Sequence, residues 1–67
     1  MISVNVNNLT KKVANGTTLE SLLHSLNQKE DGIAIAINNH IITKSEWKLT
    51  QLVNNDNVLI IQATQGG

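Results

Sequence analysis

The chain has 67 residues, no cysteine, and five basic residues against five acidic ones. That length allows one domain near the lower limit for independent folding, burying only ~60% of its extended-chain surface. A neutral balance without a basic stripe argues against a nucleic-acid binder. The lack of cysteine removes disulfides, thiol nucleophiles and thiolate metal sites, and no apolar stretch approaches the ~20 residues that span a bilayer.

Ile2-Ser3-Val4-Asn5-Val6 alternates apolar and polar residues, the pattern of a strand with one buried face. Asn7-Asn8 reads as a tight turn because asparagine tolerates positive φ. Leu9 to Val13 follows as a second strand, with Leu9 and Val13 on one face and the lysines exposed or at its edge. Asn15-Gly16 ends it. Thr17-Thr18-Leu19-Glu20 carries a capping-box pattern, in which the Thr17 hydroxyl would accept from the Glu20 amide and the Glu20 carboxylate would bond back. Leu19, Leu22, Leu23 and Leu26 then recur at i, i+3, i+4 and i+7 and share one helical stripe. The helix is expected to end near Gln28, with Gly32 closing a polar loop.

Ile33-Ala34-Ile35-Ala36-Ile37 places three isoleucines on one side of a strand and two alanines on the other. One helix covers one face of a sheet, so the isoleucines are expected to meet the leucines. Asn38-Asn39 turns the chain into a short strand, His40-Ile41-Ile42. Thr43-Lys44-Ser45-Glu46 repeats the capping pattern and predicts a helical turn that buries Trp47. Leu49 and Leu52 continue an apolar thread to the turn Asn54-Asn55-Asp56. Val58 to Gln62 is the last strand. Its near-continuous apolarity calls for a central place, parallel to the first strand. The whole is an α+β fold of the β-grasp (ubiquitin-like) type, one mixed sheet packed on one main helix, spanning residues 1–67 with 63–67 as a tail.

The chain stops on Gly66-Gly67 after the polar residues Thr64 and Gln65. Glycine has no Cβ, so such a tail passes through a slot too narrow for side chains, and its carboxylate is unhindered. A flexible end or a processing scar would look the same if taken alone. The pattern around it is more specific. Asn15-Gly16-Thr17-Thr18-Leu19, Ala34-Ile35-Ala36-Ile37-Asn38, Ser45-Glu46-Trp47, Asp56-Asn57-Val58 and Ala63-Thr64-Gln65-Gly66-Gly67 together resemble the ubiquitin-like sulfur carriers, and among them the ThiS family of thiamine biosynthesis.

That resemblance covers the whole chain and implies a carrier that is not itself an enzyme. Gly67 would be the modified residue, adenylated by a ubiquitin-activating-like partner that consumes ATP. A sulfur donor such as a cysteine desulfurase would turn the adenylate into a thiocarboxylate, which delivers sulfur to thiazole synthase. Gly66, Gln65 and Thr64 would be the part of the tail that occupies the partner's channel. No bound cofactor or metal, no nucleic acid and no membrane are implied, and the expected setting is a cytoplasmic monomer. A molybdopterin-type carrier, a ubiquitin-like modifier and a plain β-grasp interaction module are the alternatives.

Other residues carry less. His24 and His40 lie far apart without clustered carboxylates, Glu30-Asp31 reads as a solvated turn, and Ser21, Ser25 and Ser45 have no positioned base. If Val58 and Ile60 face the helix, Leu59 and Ile61 lie on the open face, as a docking surface for the activating enzyme or as ordinary exposed aliphatics.

Overall fold

The computed structural model describes residues 1–62. Five strands and one α-helix follow one another as β1 (Ile2–Val6), β2 (Leu9–Val13), α1 (Leu19–Ser25), β3 (Ile33–Ile37), β4 (His40–Ile42) and β5 (Asn57–Gln62), with a 3₁₀ turn at Lys44–Glu46 before β5. The sheet order is β2-β1-β5-β3-β4. β5 therefore lies at the centre, parallel to β1 and antiparallel to β3, as its apolarity requires.

Both hairpins turn on asparagine pairs at positive φ, Asn7-Asn8 (50° and 70°) and Asn38-Asn39 (51° and 72°). This is the geometry that matches strand twist in two-residue turns, and asparagine reaches it at lower cost than most residues. α1 lays Leu19, Leu22 and Leu23 on Val4, Val6, Ile35, Ile37 and Val58, and all of these are buried. Trp47 and Leu52 fill the end of this core, and the indole Nε1 donates to the Ile42 carbonyl at 2.9 Å. Each fully buried aliphatic side chain contributes about 1.5–3 kcal/mol relative to exposure, which makes this cluster the main stabilising term.

Four local expectations are corrected. The helix cap is Thr18, whose Oγ1 accepts from the Ser21 amide at 3.1 Å, while the Thr17 hydroxyl donates to the Ala14 carbonyl at 2.7 Å. No capping box forms, because tertiary partners take the first helical amides. Leu19 N–H donates to Thr50 at 2.9 Å and Glu20 N–H to Trp47 at 3.2 Å. The helix also ends earlier than Gln28. Asn27 turns left-handed (φ 56°) while its amide donates to His24 and the Gln28 amide donates to Leu23, a Schellman closure with asparagine in glycine's usual place.

At the 3₁₀ turn, Thr43 makes no side-chain cap bond. Leu49 leaves the apolar thread and is 73% exposed, since the turn continues through a Leu49 N–H to Glu46 bond and only Trp47 and Leu52 point inward. In β2, Leu9 and Val13 do share a face, but Leu9 at the strand's start is largely exposed while Val13 packs against the core.

Candidate functional site

Alternation along β5 sends its side chains to two different surroundings. Val58 is wholly buried and Ile60 packs against the core, whereas Leu59 and Ile61 on the opposite face are 46% and 44% exposed. The neighbours across the strand pairs explain that exposure. Leu59 is opposite Ala36 and Ile61 opposite Ala34, and Ala36 is in turn opposite Ile41 on β4. Residues opposite each other in antiparallel strands project to the same face. Small alanines beside β5 leave Leu59 and Ile61 standing clear, with exposed Ile41 at the rim.

The other half of the same face is polar. Ser3 and Asn5 on β1 pair with Lys12 and Thr10 on β2, and the Thr10 hydroxyl donates to Asn5 Oδ1 at 3.1 Å. The open face thus divides into an apolar half on β3, β4 and β5 and a polar half on β1 and β2. Isolated exposed aliphatics are ordinary, but here three lie in register around the central strand.

β5 is also anchored unequally on its two sides. Along β3 the register runs from Ile37 opposite Val58 to Ile33 opposite Gln62. Along β1 it stops at Val6 opposite Val58. Residues Thr64, Gln65, Gly66 and Gly67, expected to form the working tail, follow the end of β5 and lie outside the described residues.

The remaining polar side chains have local duties. His24 Nε2 lies 3.3 Å from the partly buried Glu30, and Lys44 Nζ lies 3.1 Å from Asp31 in an exposed pair of small energetic weight. His40 Nδ1 lies 3.2 Å from the Asn38 carbonyl. Ser21 accepts from the Thr18 hydroxyl, and Ser25 Oγ donates to the Leu22 carbonyl. Among the described residues no three His, Asp or Glu side chains gather as metal ligands, and no helix is long and apolar enough to cross a membrane.

The asparagine pairs, expected only as turn residues, have a second use. Asn7 Oδ1 accepts from Ile60 N–H at 2.8 Å, Asn38 Oδ1 from Asn57 N–H at 3.0 Å, and Asn54 Oδ1 from Ser3 N–H at 2.9 Å. Asp56, expected simply in a turn, also has more to do. Asp56 is buried, its carboxylate accepting from Asn38 Nδ2 at 3.0 Å and Val53 N–H at 2.8 Å. The only signal in the sequence was that each pair adjoins a strand end.

Comparison with known proteins matches residues 4–67 to the model of the ThiS family. The sulfur carrier protein ThiS of Escherichia coli (strain K12) is 33% identical over 61 residues, covering 91% of this chain and 92% of that protein. In fold, the chain is similar to the crystal structure of the thiamine biosynthesis protein ThiS from Geobacter metallireducens, with TM-score 0.84 at 19% identity, covering 98% of this chain and all of that one. A solution structure of a thiamine biosynthesis protein from the same organism matches with TM-score 0.77, also at 19% identity, over 98% of this chain and 88% of that one.

Proposed function

The chain belongs to the ThiS family of thiamine-biosynthesis sulfur carriers, and on that premise we propose that Gly67 is the residue on which sulfur is carried. The observation that carries this reading is the extent of the family match, which runs through both terminal glycines. A carboxylate resists nucleophilic attack, so it must first be activated. Its oxygen attacks the α-phosphorus of ATP in the adenylating partner, pyrophosphate leaves, and a glycyl-adenylate forms. Hydrosulfide, or its equivalent from a desulfurase persulfide together with a thiol reductant, then attacks the carbonyl carbon. AMP departs with the bonding electrons and a thiocarboxylate remains. Thiazole synthase is the acceptor.

This division of labour asks little of the carrier. The partners supply acid, base and metal, and the carrier supplies a fold that is recognised and an end that fits. Leu59 and Ile61 on the open face are the recognition surface, with Ile41 at its margin. Gly66 and Gly67, preceded by Thr64 and Gln65, enter the channel where adenylation occurs, since a Cβ there would meet its walls.

Intact-protein mass spectrometry tests the reading, after incubation with ATP, cysteine, a desulfurase and the adenylating enzyme. One oxygen replaced by sulfur, with no replacement when Gly67 is deleted, is the expected result. Gly67→Ala should remain folded and gain sulfur far more slowly. An unchanged wild-type mass, with partners proven active on another carrier, would overturn the proposal. Transfer to a molybdopterin synthase subunit instead of thiazole synthase, or an isopeptide on lysine, would redirect it.

A further inference from the structure

The Asn7 side chain makes bonds that its turn does not require. β1 ends opposite Val58, so residues 59–62 of β5 have no β1 residue beside them. Asn7 bridges that gap. Its main-chain N–H donates to the Val58 carbonyl at 3.0 Å, as a continuing strand would. Its side-chain Oδ1 accepts from Ile60 N–H at 2.8 Å and its Nδ2 donates to the Ile60 carbonyl at 3.3 Å. A carboxamide offers the same donor and acceptor as a peptide group. Asn7 therefore stands in for the next residue of β1, although its own backbone has already turned away.

The neighbouring residue shows that turn geometry is a separate matter. Asn8 has the same left-handed backbone (φ 70° beside 50° at Asn7), yet its side chain makes none of these bonds. Without the Asn7 carboxamide, the last residues of β5 would be held along β3 alone, as an edge strand is.

We infer that Asn7 is a positioning residue for the carrier's reaction, clamping the end of β5 so that the Leu59/Ile61 face and the strand's last residue, Gln62, are held in a fixed relation. The inference rests on the proposed role of Gly67. A partner that grips the Leu59/Ile61 face and also takes up the tail needs a defined distance between the two. If the end of β5 is loose, ordering it is a cost of binding, which raises KM and leaves the chemical step untouched.

The test compares Asn7→Gly with Asn8→Gly, since glycine keeps the positive φ at either position and only the first substitution removes the clamp. Amide exchange by NMR and the kinetics of adenylation are measured on both variants and on the wild type. In Asn7→Gly, loss of two hydrogen bonds is expected to speed Ile60 amide exchange about tenfold and to raise KM about fivefold, with kcat within about twofold of wild type. Asn8→Gly should match the wild type in all three. Asn7→Asp keeps the acceptor for Ile60 N–H but turns a second oxygen toward the Ile60 carbonyl, so KM should again rise.

Equal Ile60 exchange in both glycine variants would overturn the clamp. Faster exchange with an unchanged KM would overturn its part in the reaction. A wild-type chain that is itself never adenylated would instead remove the proposed function, and this inference with it. That outcome is distinct because the wild type, not the variant, is inert.

Discussion

The two faces of the sheet are made by the same strands and differ in almost every other respect. On one, Val4, Val6, Ile35, Ile37 and Val58 are sealed beneath α1. On the other, two alanines flank a pair of half-exposed aliphatics, and a polar half adjoins them. Because alternate residues of a strand face opposite ways, a shift of one position along β5 moves a side chain from the core to the face proposed for recognition. Val58 and Leu59 are neighbours in sequence and belong to different problems. What holds the protein together and the face proposed for a partner are thus separable by substitution.

The largest effect should come from the buried side. Leu22→Asp places a charge in the wholly apolar contact between helix and sheet, which costs more than the ~3–5 kcal/mol that a core of this size supplies. Circular dichroism should report an unfolded chain. Ile35→Ala in the same layer should lose about 2–5 kcal/mol, most of that margin, so its urea midpoint should fall to near zero denaturant.

The open face should behave in the opposite way. A Leu59→Ser, Ile61→Ser double variant is expected to change stability by less than about 1 kcal/mol, because both side chains are already near half exposed. Its kcat/KM for adenylation should fall by about tenfold or more, as loss of a central apolar contact does at an interface. If the double variant unfolded while its kinetics per folded molecule stayed normal, the division between the faces would be wrong.

The smallest effects sharpen the comparison where local pattern and tertiary contact disagree. Thr18→Ala should cost about 1 kcal/mol by removing the cap on Ser21. Glu20→Ala should be near neutral, within about 0.5 kcal/mol, because no capping box uses that carboxylate. Thermal melts of the two proteins, side by side, distinguish the caps.

Much of this protein is legible in its sequence. The alternation in Ile2–Val6 and Ile33–Ile37, the leucine spacing in α1 and the asparagine pairs at the hairpins are short-range signals, set by backbone periods and by which residues tolerate positive φ. The central place of β5 followed from its apolarity, whereas its near-continuous apolar run left open which residues face the helix, and pairing with β1 and β3 decided that Leu59 and Ile61 lie on the open face. The two terminal glycines, which carry the proposed chemistry, are likewise a property of the sequence alone.

What only the tertiary structure decided concerns partners that lie far along the chain. Thr18 replaces Thr17 as the cap because the carbonyls of Trp47 and Thr50 reach the start of the helix. Leu49 is exposed because the 3₁₀ turn continues through it. Asp56 is buried because Asn38 and Val53 satisfy its oxygens, and Asn7 serves β5 because β1 stops short beside it. A hydrogen-bonding group accepts whichever complementary group the folded backbone brings within about 3 Å. Periodicity predicts which face a residue takes, but the partner it meets there depends on where distant strands come to rest.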